Sequence, residues 1–160
     1  MNRTDSRITA GWQSHDRIGF AWTAPRDVNF RFPHIRVAVL NKDTKQVLEQ
    51  PHMYSKDFAY AYPSAASNSD GEVGVVVDFG GDQINPSAAV GVLRKLSAAS
   101  QSTWDLATIA AGKGFPPDHD WGDYLTLRLD GKNPKNWVAS TFVQESNGAA
   151  QVSYHVFGLK

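Results

Sequence analysis

Ile18-Gly19-Phe20-Ala21, preceded by Asp16-Arg17, is echoed by Val73-Gly74-Val75-Val76, preceded by Gly71-Glu72. The two runs lie 55 residues apart, from 18 to 73. The next apolar segments keep step, because Val37-Ala38-Val39-Leu40 matches Val90-Gly91-Val92-Leu93 at a spacing of 53, from 37 to 90. Two independent matches at nearly one spacing mark a repeat, and in a repeat each unit buries its apolar faces against its neighbours. Short runs rich in β-branched and aromatic residues, bounded by Gly, Pro, Asn and Asp, are strands. No window sustains the i, i+3, i+4, i+7 apolar spacing of a helix over helical length. Even 87–100, the best helical candidate, contains Val90-Gly91-Val92-Leu93 and reads as strand.

A third, diverged copy sets Tyr124-Leu125-Thr126-Leu127-Arg128-Leu129-Asp130-Gly131 where the second has Tyr62-Pro63-Ser64-Ala65-Ala66-Ser67-Asn68-Ser69; the spacing of 62, from 62 to 124, fits a loop insertion. Each copy holds an inner strand (7–13, 62–68, 123–129), a second (17–23, 72–79, 136–143) and a third (35–41, 87–93, 150–157). Asp70-Gly71, Asp130-Gly131 and Asn147-Gly148 supply turns between them. Outer strands fall at 46–49 and 103–110, and the third copy has none before Lys160. The expected fold is all-β: a partial β-propeller of about three four-stranded antiparallel blades, the last lacking its outer strand. The chain is one segment, 1–160, with blades at about 7–57, 58–115 and 120–160. A plain β-sandwich is the competing architecture.

The 160 residues, 41% hydrophobic, are enough for one ordinary domain with a sizeable core. Sixteen basic and sixteen acidic residues cancel, which removes the attraction that nonspecific binding to nucleic acid or an anionic membrane requires. Neither partner is expected. No apolar stretch approaches the length of a membrane span, and the polar start Met1-Asn2-Arg3-Thr4-Asp5-Ser6-Arg7 has no signal-peptide core. The absence of cysteine rules out disulfides and thiolate metal sites and leaves the compartment open.

The wording of the blades resembles that of bacterial sialidase-like, BNR-type β-propeller proteins. The resemblance rests on Ile8-Thr9-Ala10-Gly11-Trp12, Ile18-Gly19-Phe20-Ala21-Trp22, Arg36-Val37-Ala38, Tyr62-Pro63-Ser64-Ala65-Ala66 with Ser69-Asp70-Gly71, and most distinctively Trp121-Gly122-Asp123-Tyr124. It implies a ring of more blades than this chain holds, and an extracellular location if the chain is a fragment of such a protein. Either the chain is part of a longer propeller or copies assemble as a homo-oligomer; two copies would bring six blades, with 1–6 available to lend a strand to the partner's third blade.

The resemblance also implies sialidase chemistry: three arginines on a substrate carboxylate, a tyrosine nucleophile assisted by a glutamate, and an acid/base carboxyl group. Phe30-Arg31-Phe32-Pro33 is similar to the family's Arg-Ile-Pro segment and makes Arg31 a candidate ligand-binding residue. The Asp-box is incomplete, since Ser67-Asn68-Ser69-Asp70-Gly71-Glu72-Val73 keeps Asp-Gly and lacks Thr-Trp. The three glutamates, Glu49, Glu72 and Glu145, fall at strand ends or turns, none beside a tyrosine at a convincing position. No catalytic residue is assigned.

The densest polar cluster is Asp118-His119-Asp120-Trp121-Gly122-Asp123-Tyr124. Asp118, Asp120 and Asp123 are suited to hydrogen-bond sugar hydroxyls while Trp121 or Tyr124 stacks on a ring, and the same carboxylates are weaker candidates for Ca²⁺. The plainest reading makes them a capped loop. Trp12, Trp22, Trp104 and Trp137 are expected between sheets, and Asp78-Phe79-Gly80 at a strand end before a Gly-Gly turn. The five histidines are scattered without metal-ligand spacing, so no cofactor is expected and no metal site is assigned. A complete scaffold beside an incomplete catalytic set points to a non-enzymatic propeller module binding a glycan or protein through its loops. The alternatives are a sialidase-like hydrolase completed by other blades and a purely structural subunit.

Overall fold

The computed structural model describes residues 6–95, 102–115 and 125–159, excluding the side chain of Lys95. The described residues form eleven strands: β1 (Ile8–Ser14), β2 (Arg17–Ala24), β3 (His34–Asn41), β4 (Val47–Glu49), β5 (Ala59–Ser67), β6 (Val73–Gly81), β7 (Ile84–Lys95), β8 (Ser102–Ala110), β9 (Thr126–Leu129), β10 (Trp137–Gln144) and β11 (Ala150–Phe157). They make three antiparallel sheets of four, four and three strands, each a meander in chain order: β1 to β4, β5 to β8 and β9 to β11. The repeat read from the sequence coincides with this division. Gly19 and Gly74 occupy equivalent places in the second strand of the first and second sheets.

β6 explains why the sheets stack. Val73 to Gly80 are all buried, so both faces of this strand must be covered. Val73, Val75, Val77 and Phe79 join Ala10, Trp12, Ala21, Ile35, Val37 and Val39 in a core shared with the first sheet. Val76, with Val90 and Val92 beside it on β7, joins Leu127, Trp137 and Ala139 in a second core shared with the third sheet. The alternation of side chains along a strand places odd positions of β6 on one core and even positions on the other.

Tryptophan rings lying against glycines set the close approach. Trp12 sits opposite Gly19 across the β1–β2 pair, and a Cβ at Gly19 would lie 2.1 Å from its ring. Trp137, fully buried, reaches from the third sheet to Gly74, where a Cβ would lie 2.8 Å from Cδ2 and Cε2. Its Nε1 donates to the Ala66 carbonyl at 3.0 Å, and its ring stacks on Phe157 with centroids 5.3 Å apart. Trp104 is half-buried, edge-on to Trp12, and donates to the Pro51 carbonyl at 2.6 Å. Trp22 departs from the core placement expected of it: it lies half-buried on the face of β2 turned away from the second sheet.

Polar contacts lock the stack at one end. Between the β1–β2 and β5–β6 turns, Ser14 Oγ donates to the Gly71 carbonyl and His15 Nε2 lies 3.1 Å from the Asp70 carbonyl. The Ser69 amide donates to the Pro134 carbonyl at 2.9 Å, Asn68 Nδ2 to the Lys135 carbonyl at 2.8 Å, and Lys135 pairs with Asp70 at 3.0 Å, tying that turn to the third sheet. Gly71 holds φ +77°, which only glycine adopts without strain. Near the outer edges, the Glu49 carboxylate accepts from Arg17 Nη1 at 2.8 Å and from the Ser102 amide at 3.1 Å.

Two local expectations shift. β6 runs through Gly80 and Gly81, and the turn is Asp82-Gln83, because an irregularity between Phe79 and Gly81 carries the pairing on to Ile84. Asp78 therefore lies inside a buried strand. The Asp130–Asn136 link is a wide loop closed by the Asp130 amide on the Asn136 carbonyl at 3.0 Å, whereas Asn147-Gly148 forms the expected tight turn with Gly148 at φ +82°. The third sheet has no outer strand among the described residues.

Gly74→Ala should destabilise the chain by about 2 kcal/mol in urea unfolding, because the added methyl displaces the packed Trp137 ring. Gly131→Ala, where a Cβ meets nothing within 4 Å, should change stability little. Equal effects at both positions would contradict the stacking of the second and third sheets.

Candidate functional site

The meander sets which loops share an end of the stack. The β2–β3 loop (25–33) and the β4–β5 link (50–58) emerge where β5 begins, and hydrogen bonds tie β5 to the first sheet there: the Tyr60 amide donates to the Pro33 carbonyl of the loop at 3.0 Å and the Tyr62 amide to Thr23 Oγ1 of β2 at 2.9 Å. The isolated Ile35–Met53 bridge draws the two loops together, with each amide donating to the other's carbonyl at 3.0 Å. This gathers side chains that are far apart in sequence.

Beneath the loops lies a histidine pair. His34 is fully buried at the start of β3, with the Phe30 ring stacked on it at 3.9 Å; Phe30 meets Tyr54 edge-on at 5.3 Å. Tyr54 is 65% exposed, so the stack runs from a buried imidazole to an open aromatic face. His52 Nδ1 accepts the Val37 amide at 3.0 Å. Arg36 Nε lies 3.4 Å from His34 Nε2, and its Nη2 pairs with Asp27 Oδ2 at 3.1 Å. Asp27 also closes its own turn, accepting the Asn29 amide at 2.8 Å and the Phe30 amide at 3.1 Å.

Burial holds the His34 imidazole below the ordinary histidine range; Arg36 acts in the same direction, and the Phe32 carbonyl and Asp27 oppose it. Burial lowers His52 as well, reinforced by Arg36 and by His34. Asp27 is lowered chiefly by the Asn29 amide; desolvation opposes it, and the Phe30 amide and Arg36 add smaller lowering effects. The cluster is thus two neutral rings beside an arginine–carboxylate pair. His34 Nδ1 makes no hydrogen bond among the described residues.

The inner strand of the middle sheet is kinked at the same end. Tyr62 adopts φ +53°, an uncommon conformation for a bulky residue, where the β5–β6 register shifts between Ala61 and Ser64. Thr9 Oγ1 donates to the Pro63 carbonyl at 3.2 Å and fixes the kink against β1.

Arg31 lies in the β2–β3 loop, exposed, with its guanidinium carbon 5.1 Å from the centroid of the Phe32 ring. That loop also carries Asp27 and Phe30, so the structure brings Arg31 into the same segment as the histidine site. Asp118, Asp120, Trp121, Asp123 and Tyr124 lie outside the described residues. Among the described residues, no group of three or more His, Asp or Glu side chains is arranged to hold a metal ion. Among the described residues, no helix is long and apolar enough to cross a membrane.

His34 and His52 are scattered along the chain without metal-ligand spacing, and Asp78, expected at a strand end, is fully buried within β6. The one signal for the histidines was local: His34 and His52 each stand next to a short apolar segment, Ile35 and Met53, that later pairs. No protein-family model, curated protein or solved structure matches the chain.

Because both histidines are held below the ordinary value of 6.5, the unfolded chain binds more protons than the folded one once pH falls past about 6.5. Stability should therefore be level between about pH 8 and 7 and decline below about 6.5, and His34→Leu should flatten that decline. Urea unfolding at pH 7.5 and 5.5 measures it; an unchanged slope in the variant would refute the assignment.

Proposed function

We propose that this chain is a non-enzymatic β-propeller module, or a segment of one, that binds a glycan or protein partner through the loops at the β2–β3 end of its sheets. The observation that carries the reading is the ring stack from His34 through Phe30 to the exposed Tyr54, beside the Asp27–Arg36 pair. An exposed ring held edge-on by a half-buried one has restricted motion, and stacking on a sugar or an apolar side chain costs it little conformational freedom. The neighbouring arginine and carboxylate offer donors and acceptors for hydroxyl groups. The ring favours a glycan over a purely structural role.

The blade reading is supported by three successive antiparallel meanders whose inner strands lie side by side, β5 packing against both β1 and β9. The cluster Asp118, Asp120, Trp121, Asp123 and Tyr124 belongs to the β8–β9 connection and is proposed as a second contact region for the same ligand.

Glycan-array binding should fall at least about 10-fold in Tyr54→Ala, roughly 1.4 kcal/mol, with the unfolding transition preserved. Binding that survives Tyr54→Ala and is lost in Lys135→Ala, at the opposite end, would overturn the site. Turnover of a fluorogenic sialoside abolished by Arg31→Ala would replace the binding module with a sialidase-like hydrolase.

A further inference from the structure

Among the described residues, the two outermost sheets each leave an apolar face outside both cores. On the first sheet, Ile18, Phe20 and Trp22 of β2 alternate with the buried Gly19, Ala21 and Thr23, and Ala38 and Leu40 of β3 lie beside them. On the third, Val138 and Ser140 of β10 are cross-strand partners of Val156 and Tyr154, and the exposed Val152, Tyr154 and Val156 form one stripe along β11, at 74%, 73% and 52% exposure. Soluble chains rarely leave contiguous faces of this kind uncovered.

The repeat shows what each face fits. Ile18, Phe20 and Trp22 hold in β2 the places that Val73, Val75 and Val77 hold in β6 and that Trp137 and Ala139 hold in β10, where they pack onto the preceding sheet. Val138 and Ser140 hold in β10 the places of Gly74 and Val76 in β6 and of Gly19 and Ala21 in β2, where those strands receive the following sheet. The face left free on the first sheet is thus of the docking kind and the one left free on the third is of the receiving kind. We infer that a second copy of this chain occupies them, the first sheet of each copy packing on the third sheet of the other.

A standard interface covers about 800 Å² on each partner, so two such interfaces would cover about 1,600 Å² per chain. Head-to-tail contacts that close on themselves give a finite ring, whereas ones that do not close give a filament. The inference rests on the blade reading and is independent of the ligand.

Sedimentation of the full chain should give a particle of twice the 17.6 kDa chain mass that dissociates on dilution. The chain has no cysteine, so single thiols report the geometry. Ala38→Cys and Ser140→Cys proteins, mixed and treated with a thiol cross-linker of about 10 Å span, the spacing of packed sheets, should give covalent dimers, while neither variant alone does. Trp22→Glu should weaken association at least 10-fold. A monomer at high concentration, or cross-linking of either variant with itself, would overturn the inference; Gly74→Ala reports separately on sheet stacking within one chain, so the two failures are distinguishable.

Discussion

The structure depends on covering both faces of β6. A strand whose eight successive residues Val73 to Gly80 are all buried cannot lie at the surface of a two-layer sandwich, where one face of each sheet meets water. It requires a sheet on each side. Gly74 then sets how near the second and third layers come, while Gly19 admits the Trp12 ring within the first sheet, since each leaves room for an indole ring that a side chain would exclude. Burying a ring as large as that of Trp137 contributes several kcal/mol, and donation to the Ala66 carbonyl satisfies its one polar atom. The hydrogen bonds among the turns at 14–15, 68–71 and 134–135 then orient the layers and add less energy than the cores do.

The candidate site lies at the opposite end. The β2–β3 loop and the β4–β5 link, both connections of the first sheet, converge where β5 begins, and the Ile35–Met53 bridge draws them together. Burial there, complete at His34 and partial at His52, favours the neutral form of both rings, and Arg36 pairs with Asp27 beside them. A rigid scaffold that ends in polar, aromatic loops is the usual arrangement for recognition.

Much of the fold was legible in the sequence because strand order here is chain order. Each meander pairs neighbours joined by short links, so period, turn residues and β-branched runs placed almost every strand. Boundaries slipped where a bulge intervened, as at Phe79-Gly81 and at Tyr62-Pro63, since a register shift leaves no periodic signature. The two-sided burial of β6 follows from the apolar run Val73 to Val77, and Asp78 just after it reads as a strand end because Gly80-Gly81 resemble a turn. The histidine site was illegible for another reason: residues 27, 30, 34, 36, 52 and 54 meet only through tertiary pairing, and no spacing along the chain foretells it. The Glu49 contact with Arg17 and Ser102 arises in the same way.

The central claim, that the middle sheet is enclosed by the other two, is tested most directly by native-state hydrogen exchange. The amides of Val75 to Phe79 should be the slowest in the chain and exchange only through global unfolding, with those of β11, on an open edge, exchanging through smaller openings. Faster exchange in β6 than in β2 and β10 would contradict it.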